Sequence, residues 1–185
     1  MIRQQLPSDV EMHVVGAYAD HAMNQMNNPK ERFFIKGRVD NALTALGQYR
    51  VNLAALRFGA GQKGKILEGW LTDTPTLTTP IGIESMAEPK QLGYQPVSEP
   101  EALTRLVTQA YLEDAFAQRL IHCGTRILQQ NFNITTHASR FQARLQQLTD
   151  SISQHRHQHF YSRLIWQNQL RASEFMSRWI ELKNK

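Results

Sequence analysis

The sequence is poor in cysteine: Cys123 is the only one among 185 residues, so an internal disulfide is excluded. It also lacks any apolar run near the ~18 residues that a membrane span needs. The first residues, MIRQQLPSDVEM, contain no apolar segment of the signal-peptide kind, so export is not expected. Together these absences predict a cytoplasmic protein without a membrane partner.

Charge is unevenly distributed along a chain whose net charge is +5. Residues 30–65 hold eight cations and two acids, whereas residues 66–118 hold two cations and eight acids. Residues 140–185 are basic again, with eight cations and three acids. Two basic blocks around an acidic one indicate a surface for a polyanion, although ordinary surface charge gives the same pattern.

The N-terminal region combines strand and helix signals. Residues 10–14 alternate apolar and polar side chains, which is typical of a half-buried strand, and Gly16 ends the alternation. Residues 17–27 have apolar side chains at helical spacing. Asn28, Pro29 and Glu31 then form the start signal of a helix with an apolar stripe that begins at Ile35. A competing interpretation is a basic strand over residues 32–39, which also alternate and include a glycine.

Three regions are predicted on this basis: a unit over residues 1–58, a Gly/Pro-rich connecting region over 59–100 and a helical region over 101–185. The helical region starts near Pro100, is interrupted at NFNITTH, and continues with a long aromatic segment. These aromatic side chains are expected to form core or dimer contacts. The overall prediction is a mainly α protein.

Signals for catalysis are weak. His155 and His159 are four residues apart, but no third ligand lies nearby, so no metal site is predicted. Residues 59–65, GAGQKGK, resemble a phosphate-cradling loop. They lack the four-residue gap and the hydroxyl after the lysine of a P-loop. The segment is therefore interpreted as a basic turn able to contact phosphate, without nucleotide hydrolysis. The chain is expected to be no enzyme and to need no cofactor.

A strand followed by two helices is half of a ribbon-helix-helix unit, which must dimerise because one strand cannot pair alone. The paired ribbon of such a unit enters the DNA major groove, and the start of its second helix contacts a phosphate. Whether residues 10–15 or 32–39 read the DNA is left open. The candidate DNA-binding residues are Arg3, Gln4, Gln5, Glu11, His13, Asn28, Lys30, Arg32, Lys36 and Arg38.

Two stretches also resemble a known family. The sequences SDVEMHVVGAYADHAM and AYLEDAFAQRLIHCGTRILQQNFNIT are similar to segments of AcaB-like regulators of conjugative plasmids and integrative conjugative elements. This resemblance implies a dimeric ribbon-helix-helix-type activator of transfer genes, in which the strand with Met12 and His13 forms the ribbon. Glu11 departs from the pattern, because a cation or amide is expected on the outward side of that strand.

The resulting hypothesis is a homodimeric, sequence-specific regulator of transcription that binds double-stranded DNA and also contacts the transcription machinery. A non-catalytic helical adaptor or assembly protein of a conjugation or secretion system is the alternative, and it depends on the long C-terminal helical segment.

Overall fold

The computed structural model describes residues 6–184, with the side chains of all but residues 167–170. Its contacts divide the chain into two compact units, Met1–Asn133 and Ile134–Lys185. The division at residues 58 and 100 stays a prediction about how the chain is organised.

The first unit alternates short strands and helices. Its strands are β1 (Met12–Val15), β2 (Phe33–Gly37), β3 (Asn52–Ala54) and β4 (Thr76–Thr78). Its helices are α1 (His21–Gln25), α2 (Ala42–Leu46), α3 (Gly64–Leu71), α4 (Pro80–Ile83), α5 (Pro100–Leu112) and α6 (Asp114–Asn131). Single 3₁₀ turns lie at Pro29–Glu31 and Pro89–Gln91.

The strands form two parallel pairs, β1 with β2 and β3 with β4. Met12 lies opposite Phe33 in the first pair, and Asn52 lies opposite Thr76 in the second. The predicted fold is therefore wrong. The leading strand pairs in parallel within its own chain, whereas a ribbon-helix-helix dimer pairs it antiparallel with a second copy, and the unit is mixed α/β, not mainly α.

The start signal at Asn28 is real, but the helix that it starts is only one turn long. The Asn28 side chain accepts a hydrogen bond from the amide of Glu31, as the cap predicts. Arg32 then adopts a left-handed backbone conformation, with φ 51°, and the chain continues as β2. The alternation of residues 32–39 therefore decides the local structure, because β2 gains its hydrogen bonds from β1.

A core of two hydrophobic clusters holds the first unit together. One cluster surrounds Leu77 of β4 and includes Val10, Val107 and Leu120. The other surrounds Ile66 of α3 and includes Trp70 and Ile127. Since α5 and α6 supply residues to these clusters, the pair β3–β4 is packed against helices, as parallel strands require.

The second unit consists of the helices α7 (Ile134–Asp150), α8 (Ile152–Gln158) and α9 (Phe160–Lys183). No residue of these helices is buried among those whose side chains the structure describes. The prediction for the aromatic side chains of this segment is core or dimer contacts. The described ones lie outside the core, while dimer contacts stay a prediction. Over residues 6–184, no helix combines the length and apolar character needed to cross a membrane.

Candidate functional site: a glycine-rich basic loop at the ends of parallel strands

The candidate site lies where β3 and β4 end. Ala54 and Thr78 are paired at the carboxyl ends of these parallel strands, so the segments that follow them, residues 55–63 and 79–85, begin side by side. In open α/β sheets, ligands bind in the crevice outside the carboxyl ends of the strands.

Threonine hydroxyls connect the two segments. The Thr78 hydroxyl donates to the carbonyl of Ala54 at 2.8 Å, and the Thr79 hydroxyl donates to the carbonyl of Leu56 at 2.6 Å. Thr79 also caps α4 by accepting from the amide of Gly82. Both segments are thereby held in one fixed arrangement at the end of the strands.

Tyr94 fixes the end of β4 from the core side. Its hydroxyl accepts from the amide of Thr78 at 2.7 Å. Burial raises the pKa of Tyr94 far above its ordinary value, because the charged phenolate is disfavoured away from water. The neutral hydroxyl thus stays in place across the physiological pH range.

Lys63 is the most informative side chain of the site. It is only 7% exposed, and its Nζ donates to the carbonyl of Glu84 at 3.0 Å, which joins the segment after β3 to the segment after β4. No carboxylate forms an ion pair with Lys63 within residues 6–184. A buried ammonium normally has a counter-charge, so this arrangement favours an anionic ligand.

The start of α3 adds backbone donors. Lys63 is the N-cap of this eight-residue helix, and no side chain caps it. The amides of Gly64 and Lys65 have no hydrogen-bond acceptor within the described part of the chain. Such amides, together with the positive end of the helix dipole, favour an anion at this position.

Glycines and exposed cations complete the loop before α3. Gly59 and Gly61 have φ values of 141° and 68°, which side chains larger than hydrogen rarely adopt. Arg57 and Lys65 are exposed at the two ends of this loop. The loop therefore offers positive charge and free amides to a phosphate group.

One acid lies close to these donors. A carboxylate oxygen of Glu68 lies 3.8 Å from the position that a Cβ on Gly64 would occupy, so this side chain points back toward the start of α3. A carboxylate beside a phosphate-binding loop is suited to accept hydrogen bonds from hydroxyl groups of the same ligand.

Several residues that the sequence analysis selects for DNA binding lie elsewhere, around β1 and β2. Nε2 of His13 lies 2.9 Å from a Glu11 carboxylate oxygen, and Nδ1 lies 2.9 Å from the Tyr49 hydroxyl. Arg32 lies 3.6 Å from Glu11 and donates to the carbonyl of Asp9. These three side chains are brought together, but in a network of contacts within the chain.

The other selected residues are more dispersed. Asn28 caps the 3₁₀ turn, and the Lys36 ammonium lies 5.0 Å from the centre of the Phe34 ring. Lys30 and Arg38 are exposed. Arg3, Gln4 and Gln5 lie outside the described residues.

The sequence signal for the loop is GAGQKGK, a pattern that predicts a basic turn able to contact phosphate. It does not identify Glu68 or Thr79. Glu68 lies beside the start of α3 because it is four residues after Gly64 on that helix. Thr79 lies beside the loop because β3 pairs with β4, which local sequence patterns do not predict.

Parallel strands joined by helices, with a glycine-rich basic loop at their carboxyl ends, define an α/β protein with a candidate ligand site at the ends of its strands. The sequence profile of the family described as glycosyl transferases group 1 matches residues 1–123. The chain therefore belongs to the group 1 glycosyltransferases.

The structure is also similar to that titled "Crystal Structure of TarM", with a TM-score of 0.63 and 13% sequence identity. The match covers 77% of this chain and 30% of that chain, so the present chain corresponds to less than a third of TarM. At this identity the likeness shows the fold alone. No curated protein sequence matches the chain.

The family match corrects the functional hypothesis. The identification as an AcaB-like transcriptional regulator is wrong, and so is the adaptor alternative, because residues 1–123 match a glycosyltransferase family. The expectation of a non-enzyme is wrong for the same reason. The family accordingly does not indicate the partners predicted from the sequence, which are double-stranded DNA, a second copy in a DNA-reading ribbon and the transcription machinery.

Proposed function

We propose that this chain supplies the sugar-donor site of a group 1 glycosyltransferase and binds a nucleoside diphosphate sugar at the loop of residues 57–65. The observation that carries the proposal is Lys63, a 7% exposed lysine without a carboxylate partner in the described chain, at the uncapped start of α3. The family match over residues 1–123 supplies the reaction class.

The chemistry of the reaction explains why the site needs positive charge. In glycosyl transfer from such a donor, the bond between the sugar anomeric carbon and a phosphate oxygen breaks, and a bond to an acceptor oxygen forms. The bonding electrons stay on the diphosphate, while the acceptor loses a proton. Lys63 and the amides of Gly64 and Lys65 are positioned to stabilise the negative charge that develops on this leaving group.

Glu68 has a complementary role in this proposal. A diphosphate alone would be repelled by the Glu68 carboxylate, which lies near the start of α3. Hydroxyl groups of a ribose or hexose can donate to that carboxylate and offset the repulsion. The site is thus suited to a phosphate joined to a sugar, more than to free inorganic phosphate.

The direct test is titration calorimetry of the full chain with UDP, GDP and ADP, followed by incubation with the corresponding diphosphate sugars. We expect saturable binding of at least one diphosphate, and release of that diphosphate from its sugar donor when an acceptor alcohol is added. Absence of binding to all three nucleotides would overturn the proposal.

The proposal includes a cytoplasmic location. It rests on the single cysteine, Cys123, which is not paired with another cysteine. Cytoplasmic proteins rarely contain structural disulfides.

A further inference from the structure

Helix α9 presents an apolar face that the structure leaves uncovered. Phe175 is 61% exposed and Trp179 is 56% exposed, although both are large hydrophobic side chains. At about 100° per residue, six of the exposed apolar positions fall on roughly half of the helix circumference, while Trp166, which is 69% exposed, lies outside that half. These six residues form the apolar face of α9, and all of them are exposed: Phe160, Leu164, Phe175, Met176, Trp179 and Ile180.

The same segment is rich in cations. Residues 134–185 contain eight lysines and arginines against three acids, a net charge of +5 without the histidines. Helical periodicity places Arg171 and Arg178 at one edge of the apolar face, beside Phe160 and Leu164. Arginines at such an edge can keep their guanidinium groups in water while their methylene stems lie along the apolar surface.

We propose that α9 is an interfacial helix that lies in the headgroup region of a lipid bilayer containing anionic lipids. An apolar face with tryptophan and phenylalanine, bordered by arginine, is the pattern of helices that lie in this plane. With 24 residues, α9 is about 36 Å long. It provides an extended contact without crossing the membrane.

Charge and shape favour a lipid surface over a second copy of the chain. Association of two copies through this segment would bring two charges of +5 together, whereas anionic headgroups neutralise them. The apolar face is also wider than the narrow seam of a two-stranded coiled coil, which uses two positions in seven. The sequence-based expectation of no membrane partner depends on the absence of a membrane-spanning segment. It does not apply to an interfacial helix, which lies on the membrane without crossing it.

The test uses the full chain with large unilamellar vesicles, either of phosphatidylcholine alone or of phosphatidylcholine with one third phosphatidylglycerol. We expect sedimentation with the anionic vesicles, a blue shift of tryptophan emission, and little binding to the zwitterionic ones. The double variant Phe175→Ser, Trp179→Ser should weaken binding at least tenfold, because it removes two large apolar side chains from the contact.

Matched variants separate the apolar and the charge contributions. The control, Ser177→Ala, lies away from the six apolar positions of α9 and should bind as the unmodified chain does. Arg171→Gln should weaken binding to anionic vesicles about fivefold and should leave binding to zwitterionic ones unchanged. Circular dichroism of each variant verifies that the helix is retained.

Three results would overturn this proposal: no binding to either vesicle, equal binding to both, or a stable dimer in solution that does not bind vesicles. The outcome is independent of the proposed sugar-donor site, because nucleotide binding can be measured on the same variants without lipid. Loss of vesicle binding with unchanged nucleotide binding would assign the effect to α9 alone.

Discussion

Replacement of Lys63 by methionine separates a ligand-binding role of this lysine from a structural one. The substitution keeps the length and the apolar stem of the side chain but removes the charge and the donor to the Glu84 carbonyl, 3.0 Å away. If the ammonium contacts a bound diphosphate, the variant loses a hydrogen bond between charged groups. Such bonds contribute about 1.5–3 kcal/mol, which corresponds to nucleotide binding weakened about 10- to 150-fold.

The stability of the ligand-free protein should respond very differently. Loss of the bond to the Glu84 carbonyl costs about 1 kcal/mol, and the methionine keeps the apolar stem that packs in the same place. We therefore expect the free energy of unfolding to change by no more than ~1 kcal/mol. The charge of Lys63 would then contribute to ligand binding and not to the stability of the fold.

The assay is calorimetric titration with the nucleoside diphosphate that binds best, paired with urea unfolding of the unliganded protein. Lys90→Met is the matched control, because this exposed lysine lies outside both segments of the site and forms an ion pair with Glu88 at 2.7 Å. The reasoning is refuted if Lys63→Met binds nucleotide as tightly as the control. It is equally refuted if the variant loses several kcal/mol of stability, since Lys63 would then act through the fold.

Three further predictions concern the core, the pH dependence and the specificity of the site. Gly124→Ala should destabilise the first unit by at least ~1 kcal/mol in urea unfolding, because the added methyl would lie 2.5 Å from Cδ1 of buried Trp70. Gly16→Ala, with open space around it, is the control. Burial raises the pKa of Tyr94 above that of the unfolded chain, so the neutral hydroxyl stabilises the fold fully below about pH 10. Above that pH this contribution should decline, by up to ~1.4 kcal/mol per pH unit. A Tyr94→Phe variant should show a smaller alkaline decline, together with a loss of about 1–3 kcal/mol at neutral pH. Glu68→Gln should weaken binding of nucleoside diphosphates about tenfold and leave or improve binding of inorganic pyrophosphate; parallel loss for both ligands would contradict a role in hydroxyl recognition.

Local signals in the sequence locate many of the elements. The alternation over residues 10–14 predicts a strand, and β1 is found at Met12–Val15. The start signal near residue 100 predicts a helix, and α5 begins at Pro100 with Leu103, Val107 and Ala110 buried. These features depend on side-chain periodicity and caps, which act over a few residues and are therefore legible without the fold.

The sheet topology could not be derived in this way. A parallel pair requires a crossover connection, so its two strands are distant in sequence and no turn signal joins them. Strand β4 is especially difficult to recognise, because it has only three residues and both of its threonines, Thr76 and Thr78, are buried like Leu77. Their hydroxyls are satisfied within the core, where Thr76 donates to the carbonyl of Thr74 and Thr78 to that of Ala54. A polar sequence in a Gly/Pro-rich region thus conceals a buried strand.

Because β4 is not recognised in the sequence, the position of the loop beside it is not recognised either. The basic block of residues 30–65 can then be interpreted as a DNA-binding surface or as a loop for a phosphate group. Residues 30–65 contain the cations of both, but a net charge identifies only the sign of the partner. What distinguishes the two is burial: Lys30 and Arg38 are exposed, whereas Lys63 is 7% exposed at the junction of the segments after β3 and β4. An exposed cation can pair with many polyanions, because solvent screens the interaction and little desolvation energy is lost. A buried cation loses its hydration and therefore requires a partner of matching geometry. The position of one lysine in the fold, more than the number of cations in the sequence, therefore favours a small phosphorylated ligand over a nucleic acid.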